Sequence, residues 1–197
     1  MRRTALLLAS LLVSALQGQG APLARLSASP DGRWQLQVGE HRYRCAVGKG
    51  GVAAPGTKVE GDGKTPAGTF PLRTPRFRPD RLAAFRLPAA WKAQPLRPED
   101  GWCDAPSDVR YNRPVTRPYP ASHEALWRED GLYDLLVPLG YNDDPIVPGR
   151  GSAIFFHLAS PDYGPTAGCV AVSLPDMLEI LTALGPGARM EILAPAK

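Results

Sequence analysis

The chain has 197 residues, a formal charge of +4 at pH 7 and 44% hydrophobic residues. This length suits a single domain with a substantial core, and the hydrophobic content excludes global disorder. The net charge is small and no basic stripe dominates the sequence, so we expect no nucleic-acid partner.

The first 20 residues have the pattern of a secretory signal peptide. Arg2 and Arg3 precede an apolar run over residues 5–16, and a Gly-containing segment follows at 17–21. This run is shorter than the roughly 20 apolar residues that a membrane span needs. We therefore predict export, with no membrane span after cleavage; an uncleaved anchor is the alternative.

Beyond residue 20 the chain predicts strands rather than a helical bundle. All 22 prolines lie there, a density of about 12% against a usual ~5%. Residues 21–32 predict an irregular leader. Alternating apolar and polar side chains then predict strands over Trp34–Val38 and over 43–47, joined by a turn at Gly39.

Residues 73–124 have the least regular pattern in the chain. Arginines are scattered among prolines in this stretch, at positions Arg73, Arg76, Arg78, Arg81, Arg86 and Arg97. We interpret the stretch as a long irregular insertion that packs on the domain and shapes a binding face. A solvated basic loop without a special role is an equal alternative.

The remainder of the chain predicts two buried strands, one helix and a last strand. The strands are expected over residues 132–139 and 153–158, and over 188–192 at the end. Ser173 has the character of a helix N-cap, and Gly185 ends the helical pattern. One helix against at least six strands predicts a mainly β domain over residues 33–197.

Few side chains in this sequence could act as a nucleophile and a base. His157 ends the apolar run of residues 154–156, and Cys169 follows Gly168 twelve positions later. An imidazole that takes the thiol proton would lower the thiol pKa from about 8.5 toward neutral. By spacing alone, a lone His and Cys are more often unrelated than catalytic. The three His and three Cys show no zinc-ligand spacing, so we predict no metal.

Two separated motifs nevertheless resemble one known family. His157 followed by Thr-Ala-Gly-Cys-Val at 166–170 is similar to the catalytic signature of the L,D-transpeptidase (YkuD) domain. Residues 58–70 resemble that family's upstream segment, K-x-E-G-D-x-x-T-P-x-G-x-F. The segments 141–144 and 149–152 lead into the His strand as in similar proteins. The resemblance extends over about residues 33–194.

The resemblance implies a β-sandwich-like catalytic domain that acts on peptidoglycan stem peptides, both as acyl donor and as amine acceptor. By motif position, Cys169 would be the nucleophile and His157 the general base. The Leu158 carbonyl would orient the imidazole, and the amides of Gly168 and Cys169 would form the oxyanion hole. No cofactor is implied, and the expected location is the periplasm or cell wall. The oligomeric state is not implied.

The chain also departs from the family pattern, which suggests a divergent branch. Ala167 stands where a second His is common, Leu158 where a Gly often follows the first His, and Ala171 where an Arg is often found. Two other functions therefore stay open. One is a hydrolase (L,D-carboxypeptidase) that uses the same acyl-enzyme, and the other is a wall-binding module with an unreactive Cys.

Further residues are candidates for contacts with the substrate or for structural roles. We predict substrate contacts for Thr166, Tyr141, Arg150 and His123. For Arg150 the alternative is a structural ion pair, and for His123 it is a capping or surface role. Segment 58–70 is expected to form turns that wall the pocket. Export favours paired cysteines, so we predict that Cys45 and Cys103 form a disulfide and leave Cys169 free.

Overall fold

The computed structural model describes residues 21–82 and 88–195. The predicted signal peptide and Arg86 lie outside the described residues. Within the described part, no helix is long and apolar enough to cross a membrane.

The described residues form fifteen strands, one α-helix and one 3-10 turn. In chain order the strands are β1 (Leu23–Ala28), β2 (Trp34–Val38), β3 (His41–Arg44), β4 (Val52–Ala53), β5 (Thr65–Pro66), β6 (Gly68–Pro71), β7 (Arg76–Phe77), β8 (Gln94–Pro95), β9 (Asp100–Cys103), β10 (Pro114–Thr116), β11 (His123–Ala125), β12 (Leu135–Pro138), β13 (Phe155–Leu158), β14 (Val170–Val172) and β15 (Arg189–Ile192). The helix α1 spans Leu174–Leu184, and the 3-10 turn spans Ala89–Trp91. The predicted mainly β class with one clear helix is confirmed.

The first sheet has the strand order β3-β2-β1-β15-β6 and corrects the prediction for the leader. Strand β1 lies inside this sheet, parallel to β15 and antiparallel to β2. Ala24 and Leu26 are fully buried, whereas Arg25 between them is exposed. The leader is therefore a structural strand, and this alternation is the reason it is held in the sheet.

The second sheet has the order β14-β13-β12-β7-β8 and carries the candidate catalytic residues. All four residues of β13 are buried, which explains its continuous apolar run. Phe156 and Leu158 face the main core, where the two large sheets and α1 pack together. Phe155, on the opposite face, belongs to a smaller core with Leu126 and Tyr133.

The helix α1 has the termini that the sequence predicts. Ser173 Oγ accepts a hydrogen bond from the Asp176 amide at 3.3 Å, and Gly185 ends the helix with a positive φ of 69°. One face of α1 is buried in the main core through Met177 and Ile180, among others. Strand β14, which the sequence did not predict, runs directly into this helix.

The stretch 73–124 is not uniformly irregular, because it contains β7 to β11. Strands β10, β9 and β11 form a small sheet, which packs on the second sheet through Trp102 and Phe155, whose rings lie edge to face at 5.3 Å. Arg78 is only 3% exposed and stacks on Trp127 at 3.6 Å. The interpretation as an insertion packed on the domain therefore holds better than a solvated basic loop.

The predicted Cys45–Cys103 disulfide is absent, because all three cysteines are free. Cys45 is buried in the main core, where its own amide donates to the Trp34 carbonyl and the next residue, Ala46, pairs with Ala171. Cys103 instead belongs to β9 of the small sheet, where it is opposite His123. Burial in two separately packed regions is the physical reason that these thiols are not joined.

Candidate active site

Cys169 and His157 face the same side of two neighbouring parallel strands. In the β13–β14 register, His157 lies opposite Ala171, and Cys169 immediately precedes Val170, the partner of Phe156. Side chains of alternate residues share a face, so Cys169 and His157 both point away from the main core. Both line one cavity of about 630 Å³.

The Cys169 thiol is held by two backbone groups. It donates to the Ala153 carbonyl and accepts from the Phe155 amide, both at 3.3 Å. Ala153 has a positive φ of 51°, a left-handed conformation that is uncommon for a residue with a side chain. Strained backbone of this kind is frequent at functional sites. Here it belongs to the residue whose carbonyl contacts the thiol.

The imidazole of His157 is fixed by the Leu158 carbonyl, as the family resemblance implied. The distance from Nδ1 to this oxygen is 2.8 Å. A carbonyl can only accept, so Nδ1 carries the proton and Nε2 keeps its lone pair. The edge of the neighbouring Tyr133 ring lies against the imidazole, with centroids 5.1 Å apart. The geometry thus leaves Nε2 as the available base.

Burial sets the protonation of both groups. It lowers the pKa of His157 to about 4, because the charged imidazolium is poorly solvated in this site. Burial raises the pKa of Cys169 to about 12, and the charge of Glu124 adds to this effect. The sequence predicted a pKa shifted toward neutral, so that expectation is wrong for the resting site. The thiol and the imidazole are therefore both neutral in the resting site.

Thr166 and Gly168 build the turn that presents Cys169. The Thr166 hydroxyl donates to the Cys169 carbonyl at 2.8 Å and accepts from the Gly168 amide at 3.1 Å. Gly168 has a φ of 143°, and a Cβ at this position would lie 3.0 Å from the Lys64 carbonyl. Of the two amides predicted for the oxyanion hole, that of Gly168 is therefore already engaged.

The upstream motif at residues 58–70 walls the cavity and is largely paired with itself. Lys58 is 4% exposed and its Nζ lies 2.6 Å from Asp62 Oδ1. Asp62 also accepts from the backbone amides of Val59 and Lys64. These bonds hold the turn that the sequence predicted, and Lys58, Glu60, Gly61 and Gly63 line the cavity.

A closed hydrogen-bond network surrounds Glu60. Its Oε2 accepts from the Tyr111 hydroxyl at 2.5 Å and from the Ser152 hydroxyl at 2.7 Å. The Tyr111 oxygen in turn accepts from the Gly151 amide at 3.1 Å. This network joins the upstream motif to the segment that leads into β13.

Sequence reasoning missed a second Tyr–Glu pair, which lies beside Cys169. Tyr133 is 5% exposed and shares the smaller core with Cys169 and Phe155. Its hydroxyl donates to Glu124 Oε1 at 2.5 Å, and Arg128 lies 3.6 Å from the same oxygen. Tyr133, Glu124 and Arg128 all line the cavity. No spacing in the sequence links Glu124 to Cys169, because the insertion brings it there.

Three of the predicted substrate contacts lie elsewhere. Tyr141 packs on Phe70, with ring centroids 5.4 Å apart, and its hydroxyl donates to the Arg150 carbonyl. The Arg150 side chain donates to the Gly56 carbonyl at 2.7 Å. His123 lines a separate surface depression with Arg117 and other residues. None of these three residues lines the cavity that holds Cys169 and His157.

Among residues 21–82 and 88–195, no group of three or more His, Cys, Asp or Glu side chains is arranged to hold a metal ion.

The fold and site define a mainly β domain with a cysteine and a histidine in one cavity. A family model described as the L,D-transpeptidase catalytic domain (YkuD) matches residues 30–192. Because this match extends over most of the chain, the chain belongs to the L,D-transpeptidase catalytic domain family. No curated protein matches it.

Solved structures provide two similar chains. One is L,D-transpeptidase 1 of Mycobacterium tuberculosis, with 14% identity and a TM-score of 0.37, covering 88% of this chain and 60% of that one. The other is an L,D-transpeptidase of Mycobacterium smegmatis, with 15% identity and a TM-score of 0.37, covering 88% and 59%. The chain thus spans about 60% of the length of these structures.

Proposed function

We propose that this protein is an exported cysteine L,D-transpeptidase that forms a thioester with a peptidoglycan stem peptide and transfers the acyl group to an amine. Family membership supports a function in modifying the cell wall. The observation that carries the mechanism is the placement of Cys169 and His157 in one cavity, with His157 Nδ1 held by Leu158.

In the first step, the Cys169 sulfur attacks the carbonyl carbon of the scissile peptide bond. The thiol proton leaves its contact with the Ala153 carbonyl and moves to His157 Nε2 as the S–C bond forms. A neutral imidazole is required for this transfer, and the low pKa of His157 provides it over a wide pH range. The tetrahedral intermediate then collapses, and the departing amine takes the proton from His157.

In the second step, the amine of another stem peptide attacks the thioester. His157 accepts a proton from that amine, the C–S bond breaks, and the thiol is restored. Water in place of the amine would give the hydrolase product from the same acyl-enzyme. The thiol and imidazole supply the nucleophile and base, so we propose that no metal or organic cofactor takes part.

The test is incubation of the mature protein with purified muropeptides, followed by mass spectrometry. We expect a cross-linked product when an amine acceptor is present and a thioester adduct on the Cys169 peptide when it is withheld. Cys169→Ala and His157→Ala should each reduce turnover by about 10²–10⁴-fold or more, with unchanged melting. Turnover near that of the wild type in either folded variant would refute the mechanism.

The acceptor distinguishes the two products of the acyl-enzyme. A mass increase by one stem peptide identifies transfer to an amine, whereas a shortened stem with a free carboxylate identifies hydrolysis. If only the shortened stem forms at a saturating concentration of amine, the protein is a carboxypeptidase and not a transpeptidase. Neither product, together with an unmodified Cys169, would favour a wall-binding module.

A further inference from the structure

The predicted oxyanion hole lacks one of its two donors. The Gly168 amide donates to Thr166 Oγ1 at 3.1 Å, inside the turn that presents the nucleophile. Breaking this bond would loosen the contact of Thr166 with the Cys169 carbonyl. Removing one donor from an oxyanion hole typically costs 10²–10³-fold in kcat. A second donor is therefore expected elsewhere in the cavity.

The Tyr133 hydroxyl is placed to supply this donor. Its ring packs edge to face on Phe155 at 5.7 Å and on His157 at 5.1 Å, so the hydroxyl position is fixed. Tyr133 packs in the same small core as Cys169, and both residues line the cavity. A hydroxyl on this side of the cavity can donate to the acyl oxygen that becomes negative when Cys169 attacks.

One hydroxyl proton cannot serve two acceptors. If Glu124 is ionised, the Tyr133 O–H donates to it and cannot donate to the acyl oxygen. If Glu124 carries a proton, its own O–H donates to Tyr133 and frees the Tyr133 proton. Burial raises the pKa of Glu124, with Asp104 and Asp130 acting in the same direction and Tyr133 and Arg128 opposing them.

We propose that Glu124 is a positioning residue which, in its protonated form, donates to the Tyr133 oxygen and turns the Tyr133 O–H toward the acyl oxygen during attack by Cys169. This inference rests on the proposed function and adds to it. The S–C bond forms and the carbonyl oxygen becomes negative, while Tyr133 donates a hydrogen bond to it without losing its proton. The step involves no oxidation or reduction. When the intermediate collapses, this hydrogen bond returns to its resting form.

Four variants test the proposal by their kcat and KM with a muropeptide donor. Tyr133→Phe keeps the ring packing, so we expect unchanged melting, a kcat about 100-fold lower and a similar KM. Glu124→Gln keeps a donor to Tyr133 and should stay within about threefold of the wild type. Glu124→Ala leaves the Tyr133 O–H present but without its positioning partner, so its kcat should fall below that of Glu124→Gln and stay above that of Tyr133→Phe, and the double variant Tyr133→Phe/Glu124→Ala should fall no further than Tyr133→Phe.

The Glu60–Tyr111 pair provides a matched control, because it has the same 2.5 Å contact and only its Glu60 lines the cavity. Tyr111→Phe should leave kcat within about threefold of the wild type. A pH profile gives a second readout: kcat of the wild type should decline as Glu124 ionises at higher pH, and Glu124→Gln should lose this decline. A purely structural role for Glu124 would not remove it.

Three outcomes would overturn the proposal: a loss below tenfold for Tyr133→Phe, equal losses for Glu124→Gln and Glu124→Ala, or an unchanged pH profile in Glu124→Gln. If the wild type itself turns over no muropeptide, the proposed function fails but the inference remains testable. The rate of Cys169 acylation by p-nitrophenyl acetate, which passes through a tetrahedral oxyanion and is followed by peptide mass, should then fall about tenfold in Tyr133→Phe. An unchanged rate would refute the inference independently.

Discussion

Two Tyr–Glu pairs border the same cavity, one through Glu60 alone and the other through both Glu124 and Tyr133, and they differ in what surrounds the hydroxyl. At Glu60–Tyr111 the tyrosine oxygen also accepts from the Gly151 amide, and the carboxylate also accepts from Ser152. At Glu124–Tyr133 the tyrosine packs in the same small core as the nucleophile, and the whole pair lines the cavity with it. The first pair is satisfied by the protein itself, which suits a structural support. The second pair has a neighbour that changes charge during the proposed reaction.

Because of this difference, we expect substitutions in the two walls of the cavity to have different effects. The upstream wall contains residues 58–70, and the other wall contains Tyr133 and Glu124 beside Cys169. A fully paired buried network fixes geometry, and breaking it leaves unpaired polar groups that destabilise the fold. A pair next to a reacting atom can be altered with little effect on folding but a large effect on rate. We therefore expect variants in the upstream wall to change stability and variants beside Cys169 to change chemistry.

The largest effect on stability is expected for Lys58→Met in the upstream wall. The ion pair of Lys58 with Asp62 is almost fully buried, with side chains 5% and 13% exposed. Removing one partner of a buried pair typically costs about 3–5 kcal/mol, because the other charge is left without compensation. Asp62 keeps two backbone amides, so we expect the lower end of this range.

Urea unfolding of Lys58→Met and the wild type measures this cost. Lys58→Met/Asp62→Leu is the control, because it removes both charges and should recover part of the lost stability. A single variant as stable as the wild type would show that this wall does not depend on the ion pair, and the contrast between the two walls would disappear.

The next largest effect is expected in the pH dependence of the free energy of unfolding, and it originates from His157. The pKa of His157 is about 4 in the fold, against 6.5 for an ordinary histidine. The unfolded chain therefore binds the proton more readily than the folded chain. The contribution of neutral His157 to the free energy of unfolding is complete above about pH 6.5. That contribution is lost as the pH falls toward 4, to a limit of about 3 kcal/mol.

Unfolding free energies measured between pH 4 and pH 7 check this expectation. The variant His157→Gln lacks the titrating group and serves as the reference, since the carboxylates of the chain titrate in both proteins. The stability of the wild type relative to His157→Gln should rise between pH 4 and pH 6.5 and then stay constant. Parallel curves would mean that His157 is not buried as a neutral base.

Much of the catalytic centre could be predicted from the sequence, because its parts are local. The run that ends at His157 is a buried strand, the capping residue Ser173 begins a helix, and Cys169 follows a glycine with a positive φ. Each of these depends on neighbours within a few positions. The two motifs then identified the family from the residues alone.

The remaining features depend on contacts between distant parts of the chain. Strand β1 is held in the sheet by β15, whose residue Arg189 pairs with Leu23. Glu124 reaches Tyr133 only because the insertion folds over β13. The disulfide prediction used the expected compartment and the number of cysteines, neither of which gives a distance. Alternation and spacing carry no information on such juxtapositions.

The smallest effect is expected for Ala153→Gly, at the boundary between the two walls. Ala153 donates its amide to Asn112 and accepts from the Cys169 thiol through its carbonyl. Its φ of 51° is strained for alanine and free of strain for glycine. Relief of this strain opposes the greater entropy of glycine in the unfolded chain, so the net change should be within about 1 kcal/mol.

The chemical consequence of Ala153→Gly distinguishes strain from simple geometry. If the strained backbone serves to aim the carbonyl at the thiol, glycine will let that carbonyl move, and Cys169 alkylation at pH 8 will become faster without a loss of stability. Ser152→Ala, at the neighbouring position in the Glu60 network, is the control and should lower stability without changing that rate. Equal alkylation rates in all three proteins would mean that the contact between Ala153 and the thiol results from packing and does not control the nucleophile.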